Sequence, residues 1–170
     1  ALRLSVNVSA RSFMDPRLTD RVSAAIAAAD LRAEDLYLEI TETMLVEDIG
    51  ATTMVVDQLK QLGIRLAIDD FGTGFSSLSH LQKLDVDKLK IDRAFVNDIQ
   101  QNGSEGSIAK MIVQLGQNLG LSVIAEGVET KEQVDFLLDS GCHIIQGYYF
   151  SKPLCATEVT QFLKGPFPLL

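Results

Sequence analysis

The stretch IRLAIDDFGTGFSS, residues Ile64–Ser77, sets the interpretation of the whole chain. It opens with a mainly apolar run, residues 64–68, of the length of one buried strand. Asp69 and Asp70 follow, and then a glycine-punctuated loop, Phe71–Phe75. Neighbouring strand residues point to opposite faces, so the two carboxylates converge only if the strand ends there. Adjacent like charges cost free energy unless a cation lies between them; the alternative is a solvated strand end with an N-cap aspartate.

Predicted strands alternate with predicted helices six times along the chain. The strands begin near residues 2, 36, 64, 88, 121 and 144, and Gly63 and Gly120 stand where helix C-cap glycines belong. Such alternation implies right-handed crossovers and a parallel α/β sheet. In folds of this kind the chemistry lies at the carboxyl ends of the strands.

Composition excludes several classes of protein. The 170 residues suffice for one domain, and a net charge of -8 argues against bulk binding of a nucleic-acid polymer. No apolar run has the 18 or more residues that a membrane span needs, so we expect no membrane contact by this segment. Cys142 and Cys155 are too few for a disulfide framework, which favours a reducing compartment, the cytoplasm. The chain starts at Ala1 without Met, and we expect upstream residues to be missing.

Polar side chains stand at the predicted end of every strand, although the strand bodies are mostly apolar. If the sheet curls into a barrel, all of these groups face one mouth, and we predict a shared site there. The strand-end groups are Asn7, Glu39 with Glu42, Asp69 with Asp70, Lys90 with Asp92, Glu126 with Glu129, and Gln146.

Carboxylate and amide oxygens suit hard cations such as Mg²⁺, Mn²⁺ or Ca²⁺, and the chain has no His or Cys cluster of the kind that zinc prefers. Two metals bridged by a carboxylate stabilise the attacking and leaving oxygens of phosphodiester cleavage. Asp69 is well placed to bridge, with Asn7, Glu39 and Asp70 completing the ligand shells. Lys90 either holds the nucleophilic water or only neutralises the carboxylates.

Three further positions have open roles at this stage. Glu126 is a candidate general base if its neighbours raise its pKa, and equally a candidate metal ligand. The loop Phe71–Ser77 is interpreted as a mobile lid or hinge, which Glu42 anchors by hydrogen bonds to Thr or Ser. Gln146 is a candidate for reading a base edge or a ribose.

These motifs together resemble the EAL-domain family of cyclic di-GMP phosphodiesterases. Six ordered motifs that span nearly the whole chain carry the resemblance. They are NVS at Asn7–Ser9, LEITE at Leu38–Glu42, DDFGTGFSSL at Asp69–Leu78, KLKIDRAFV at Lys88–Val96, AEGVET at Ala125–Thr130 and QGYYFSKP at Gln146–Pro153.

The resemblance implies a TIM-type (βα) barrel, two Mg²⁺ or Mn²⁺ ions with Ca²⁺ inhibitory, and hydrolysis of cyclic di-GMP to linear pGpG. It also implies a homodimer and an upstream sensory or GGDEF-type domain. By motif, the metal ligands are Asn7, Glu39, Asp69 and Asp70, Lys90 positions the water, and Glu126 is the catalytic glutamate. Glu129 and Gln146 are supporting or substrate-contacting groups. The segment that couples dimerisation to activity comprises Glu42, Phe71, Gly72, Thr73, Gly74 and Ser76.

One part of the family pattern is missing from the sequence. The namesake Glu-x-Leu motif, whose glutamate is a metal ligand in the family, lies upstream of NVS and is not in these residues. We therefore expect residues 1–170 to form a single EAL-like domain without its N-terminal strands, incomplete at about six strand–helix units. Whether this fragment is active stays open. The alternatives are a non-catalytic cyclic di-GMP receptor or a different metal-dependent barrel enzyme that abstracts a proton beside a carboxylate.

Overall fold

A computed structural model describes residues 2–47, 49–74, 81–100 and 108–165. Six parallel strands form one sheet in which the spatial order follows the chain order, and the sheet curves into a half-barrel. The strands are β1 (Leu4–Asn7), β2 (Leu36–Thr41), β3 (Arg65–Phe71), β4 (Lys88–Ile91), β5 (Ser122–Ala125) and β6 (Ile144–Ile145).

Helices connect the strands, as the alternating pattern predicts. Gly63 and Gly120 adopt positive φ angles of 81° and 72°, which confirms both as helix-terminating glycines. The helices are α1 (Ala10–Phe13), α2 (Leu18–Ala28), α3 (Met44–Glu47), α4 (Ile49–Gln61), α5 (Arg93–Asn97), α6 (Ile108–Asn118), α7 (Lys131–Asp139) and α8 (Ala156–Phe162), with 3-10 turns at Ala33–Asp35 and Asp98–Gln100.

All six predicted strands are present, and the main difference is the length of the last one. The apolar and aromatic run from Ile144 to Phe150 pairs with β5 only at Ile144–Ile145. A Cβ atom on Gly147 would lie 2.0 Å from the backbone oxygen of Val128, so the chain turns there through close backbone contact. Tyr149 N then donates to the same Val128 oxygen at 3.0 Å, which fixes the turn.

Alternation along each strand separates the apolar core from the polar interior of the half-barrel. In β2, Leu36, Leu38 and Ile40 belong to the core beneath the helices, whereas Tyr37 and Glu39 point to the concave face. The same alternation puts Lys88 and Lys90 of β4 on the concave face and Leu89 and Ile91 in the core. The core therefore holds the sheet to the helices, and the concave face is left for polar groups.

The sheet has two edges, β1 and β6, in the described part of the chain. All four residues of β1 are exposed, including Leu4 and Val6 at 50% and 42%. An apolar groove between β1 and α2 is lined by these two residues together with Val22 and Ile26. No helix in the described ranges is both long enough and apolar enough to cross a bilayer.

Candidate active site

Lys90 lies at the centre of a cluster of carboxylates near the carboxyl ends of the strands. Its ammonium nitrogen is 2.5 Å from Glu39 Oε2, 2.8 Å from Glu126 Oε1 and 3.0 Å from Asp69 Oδ1. The Lys90 side chain is only 5% exposed. Residues from four neighbouring strands, as far apart in sequence as Glu39 and Glu126, therefore converge on one point, as the strand-end pattern predicts.

Burial and ion pairing act on the pKa of Lys90 in opposite directions. Burial alone would lower the pKa, because it penalises the charged ammonium. Hydrogen bonds with Glu126, Glu39 and Asp69 outweigh burial and raise the pKa well above the ordinary lysine value. This direction favours the ammonium form of Lys90, which donates hydrogen bonds and holds a positive charge.

Glu126 follows β5 directly, and its environment changes the pKa of its carboxyl. Burial raises its pKa, the hydrogen bond with Lys90 lowers it, and the nearby charges of Asp69 and Glu39 raise it again. The net result is a pKa of Glu126 above the ordinary glutamate value. A glutamate with a raised pKa is a better proton acceptor near neutral pH than an ordinary one.

The adjacent carboxylates Asp69 and Asp70 lie at an irregularity in the last residues of β3. β3 continues to Phe71, but its register with β4 shifts between Ile68 and Phe71. Asp70 has φ 53°, a left-handed conformation that is uncommon outside glycine. β3 thus ends one residue after Asp70, and the convergence of Asp69 and Asp70 on one point stays a prediction.

Asp92 is a member of the cluster to which the sequence analysis gave no role beyond its place at a strand end. Burial raises the pKa of Asp70, and the charge of Asp69 and a hydrogen bond with Asp92 raise it further. Asp92 also accepts a hydrogen bond from Ala94 N at 2.7 Å as the N-cap of α5. Its position two residues after Lys90, directly after the end of β4, was the available signal.

Asn7 lies at the end of β1, opposite Glu39 in the register of the neighbouring strand. Its side chain is exposed, since β1 forms an edge of the sheet. Asn7 thus stands beside the cluster without contacting Lys90.

Glu42 anchors the loop after β3 through backbone donors. Its buried carboxylate accepts hydrogen bonds from Gly72 N at 2.8 Å and Gly74 N at 3.1 Å. Thr73 Oγ1 donates to Asp70 O at 2.8 Å, and the candidate donors Ser76 and Ser77 lie outside the described residues, so a Ser donor stays a prediction. Phe71 is buried as the last residue of β3, and Ser76 lies outside the described residues.

Glu129 and Gln146 lie on the rim rather than in the buried cluster. Glu129 pairs with Arg93 at 2.5 Å, and both side chains are substantially exposed. Gln146 is exposed. Its backbone N donates a hydrogen bond to Ala125 O at 2.8 Å, and its backbone O accepts one from Val128 N at 3.2 Å, so these two bonds join β5 to the rim.

Gly127 explains how Arg93 reaches Glu129. It has φ 68°, and a Cβ atom there would lie 2.3 Å from Arg93 Cγ. The glycine therefore lets the stem of Arg93 cross the loop that carries Glu126 and reach Glu129. The motif AEGVET contains this glycine, but the reason why a glycine is needed there, the close approach of Arg93, is visible only in the structure.

The donor chemistry of the cluster suits a hard cation. Asn7, Glu39, Asp69 and Asp70 offer only oxygen ligands, and three carboxylates lie within 3.0 Å of the Lys90 ammonium. Among the residues that the structure describes, no three His, Cys, Asp or Glu side chains are grouped closely enough to hold a metal ion. The predicted ligand set therefore stays a prediction.

The profile of the EAL domain matches residues 1–153 of the chain. The chain belongs to the EAL domain family. The cyclic di-GMP phosphodiesterase NbdA of Pseudomonas aeruginosa is 43% identical over 164 residues, which cover 96% of this EAL chain and 21% of NbdA. The EAL chain thus spans about a fifth of the length of this curated relative.

Solved structures share the fold of this EAL chain. The PaMucR phosphodiesterase in complex with c-di-GMP superposes with a TM-score of 0.88 at 39% identity, over 92% of this chain and 64% of that one. Klebsiella pneumoniae BlrP1, solved with the cyclic dinucleotide and either manganese or calcium, superposes with a TM-score of 0.81 at 35% identity, over 89% of this chain and 39% of that one. The parallel half-barrel is therefore part of an EAL-type barrel.

Proposed function

We propose that this EAL chain belongs to a metal-dependent phosphodiesterase that hydrolyses cyclic di-GMP to linear pGpG. The observation that carries the proposal is the convergence of Glu39, Asp69 and Glu126 on Lys90 within an EAL fold. The names of NbdA and PaMucR, as phosphodiesterases of this nucleotide, support the substrate.

The reaction adds one water across one phosphodiester bond. The water oxygen attacks phosphorus, the bond from phosphorus to the 3′ oxygen breaks, and that oxygen takes up a proton. Glu126 accepts the proton of the attacking water, which its buried position beside Lys90 allows. Lys90 orients the water and balances the negative charge that develops, because it remains an ammonium throughout.

Divalent metals fit the acidic surplus of the site. Asn7, Glu39, Asp69 and Asp70 would hold Mg²⁺ or Mn²⁺, with Asp69 as the shared ligand and Asp92 beside Asp70. When bound, the ions would supply charge stabilisation and a more acidic water. The manganese complex of BlrP1 supports this assignment.

The remaining assignments concern the larger protein. We place Glu129 and Gln146 at the substrate rim, and we assign Glu42 with Phe71–Gly74 and Ser76 to coupling between a homodimer interface and the site. We propose residues 1–170 as part of one EAL domain in a cytoplasmic protein with an upstream sensory or GGDEF-type domain. The chain matches only about a fifth of the length of NbdA, which supports the proposal of a further domain.

The test is turnover of cyclic di-GMP by the complete polypeptide that contains these residues. Mg²⁺ or Mn²⁺ should support formation of pGpG, Ca²⁺ should not, and excess EDTA should abolish it. Full turnover in EDTA would reject the metal mechanism. Tight nucleotide binding without turnover under any of these ions would identify a receptor instead of an enzyme.

A further inference from the structure

The concave face carries a second group of polar side chains, at the opposite end from Lys90, of which Tyr37 and Lys88 are buried and Arg65 is half-buried. Tyr37, Arg65 and Lys88 stand at the first or second position of β2, β3 and β4, so they lie at the amino ends of these strands. Tyr37 is 2% exposed and Lys88 is 7% exposed. Ala67, the register neighbour of Lys88 on the strand between them, has a side chain small enough for Tyr37 and Lys88 to meet across it.

Two cations face the same aromatic ring. The Lys88 ammonium lies 3.6 Å from the centroid of the Tyr37 ring, and the Arg65 guanidinium carbon lies 5.7 Å from it. Arg65 Nη1 also donates a hydrogen bond to the Tyr37 hydroxyl at 2.8 Å. A cation over a ring is attracted to it, but the ring offers no acceptor for the three ammonium protons.

The cluster has donors without acceptors. Among the residues that the structure describes, no oxygen accepts a hydrogen bond from Lys88 or from the hydroxyl proton of Tyr37. Asp87, the neighbouring acid in the sequence, has other partners, because its carboxylate accepts hydrogen bonds from Lys60 Nζ and from Leu66 N, both at 2.8 Å. A buried ammonium without an acceptor is costly, so the arrangement calls for an anion.

We propose that Lys88, Tyr37 and Arg65 form a binding position for one carboxylate inside the amino end of the barrel. The carboxylate accepts from the Lys88 ammonium and the Tyr37 hydroxyl, and the nearby guanidinium of Arg65 offers further donors of matching planar geometry. A small planar anion is favoured because Tyr37 and Lys88 leave little open surface. The source is either a free small carboxylate or a carboxylate side chain of the longer polypeptide, and the two can be separated by experiment.

The experiment measures the melting temperature of the complete polypeptide in sodium acetate and in sodium chloride at equal ionic strength. It compares Lys88→Met, which removes the charge, with Lys88→Arg, which keeps it. Lys152→Met is the matched control, because Lys152 also faces a tyrosine ring, at 5.9 Å from the centroid of Tyr148, but is exposed. Carboxyl ¹³C NMR spectra of the same variants report on carboxylates of the chain itself.

For a free carboxylate, acetate should raise the melting temperature of the wild type and of Lys88→Arg by a few degrees, and Lys88→Met should lose this response. For a side-chain carboxylate, acetate should have no effect, and Lys88→Met should lower the melting temperature and shift one carboxyl resonance that Lys152→Met leaves unchanged. The proposal is overturned if Lys88→Met changes neither the acetate response nor any carboxyl resonance, whatever its melting temperature.

Discussion

Lys88 and Lys90 lie two residues apart on β4, point to the same concave face and are almost equally buried, at 7% and 4% exposure. Lys90 has three carboxylates within 3.0 Å, whereas Lys88 has the face of Tyr37 and no anion in the described part of the chain. Burial therefore does not determine what a charged side chain does. The partners differ with the end of the sheet, because Glu39, Asp69 and Glu126 converge at the carboxyl end, whereas Asp87, at the amino end, pairs with Lys60 and the backbone of Leu66 rather than with Lys88.

The largest effect is expected at the carboxyl end of the sheet, where Lys90 lies. Lys90→Met should reduce turnover of cyclic di-GMP by at least about a hundredfold, because a charge-stabilising donor is lost. In EDTA it should also lower the free energy of unfolding by about 3–5 kcal/mol, since Glu39, Asp69 and Glu126 are left buried without their cation. Steady-state kinetics and urea unfolding measure the two effects.

Lys88→Met provides the matching change at the amino end, where turnover per folded molecule should change far less than in Lys90→Met. Equal losses of turnover in both variants would remove the functional distinction between the two ends of the half-barrel.

Glu126→Gln should separate binding from chemistry at the same end. The amide keeps the size and one hydrogen-bond acceptor, so nucleotide affinity should stay within a few fold. Turnover should fall by about 10²–10⁴, because the amide does not accept the proton of water. Calorimetric binding with kinetics measures both quantities, and Glu129→Gln, on the exposed rim, is the control with a smaller loss of turnover. Loss of binding in Glu126→Gln would make Glu126 a structural or binding group.

A smaller effect is expected at Glu42, which holds the loop after β3 at the carboxyl end of the sheet. Glu42→Ala should lower the free energy of unfolding by about 1–3 kcal/mol, because two backbone donors, Gly72 N and Gly74 N, lose a charged acceptor. Urea unfolding measures this loss. The control is Glu158→Ala, which removes a single acceptor for Cys155 N at the exposed start of α8. Equal losses in the free energy of unfolding in the two variants would show that the buried position of Glu42 adds nothing to its contribution to stability.

The smallest change in stability comes from one of two aspartates with the same backbone conformation. Asp30 has φ 51° and Asp70 has φ 53°, but Asp30 only ends α2, whereas Asp70 belongs to the acidic cluster. Asp30→Gly should raise the free energy of unfolding by about 0.5–1 kcal/mol, because glycine adopts this conformation without strain. Asp70→Gly should instead abolish metal-dependent turnover. Thermal unfolding checks the first change and kinetics the second, and a destabilised Asp30→Gly would show that its carboxylate has a role of its own.

The sequence predicted the parts of the site that depend on strand periodicity. Because the carboxyl ends of parallel strands meet, Glu39, Asp69, Lys90 and Glu126 could be brought together from their spacing alone. Short elements such as α3 and α5 were not predicted, since four or five residues show no helical period.

What the sequence could not show depends on contacts between residues far apart in the chain. The left-handed Asp70 follows from the shift in register between β3 and β4, which no local pattern encodes. Likewise, Lys88 and Lys90 lie on the same face of β4 within KLKID, and the contact of Lys88 with Tyr37 two strands away is visible only in the structure.

Anomalous diffraction from crystals of the complete polypeptide, grown with Mn²⁺ and cyclic di-GMP, tests the central claim most directly. We predict two manganese peaks at the carboxyl end of the sheet, both within coordination distance of Asp69, with Lys90 and Glu126 beside the scissile phosphate. Manganese peaks elsewhere, or a bound nucleotide with no manganese near Asp69, would contradict the account.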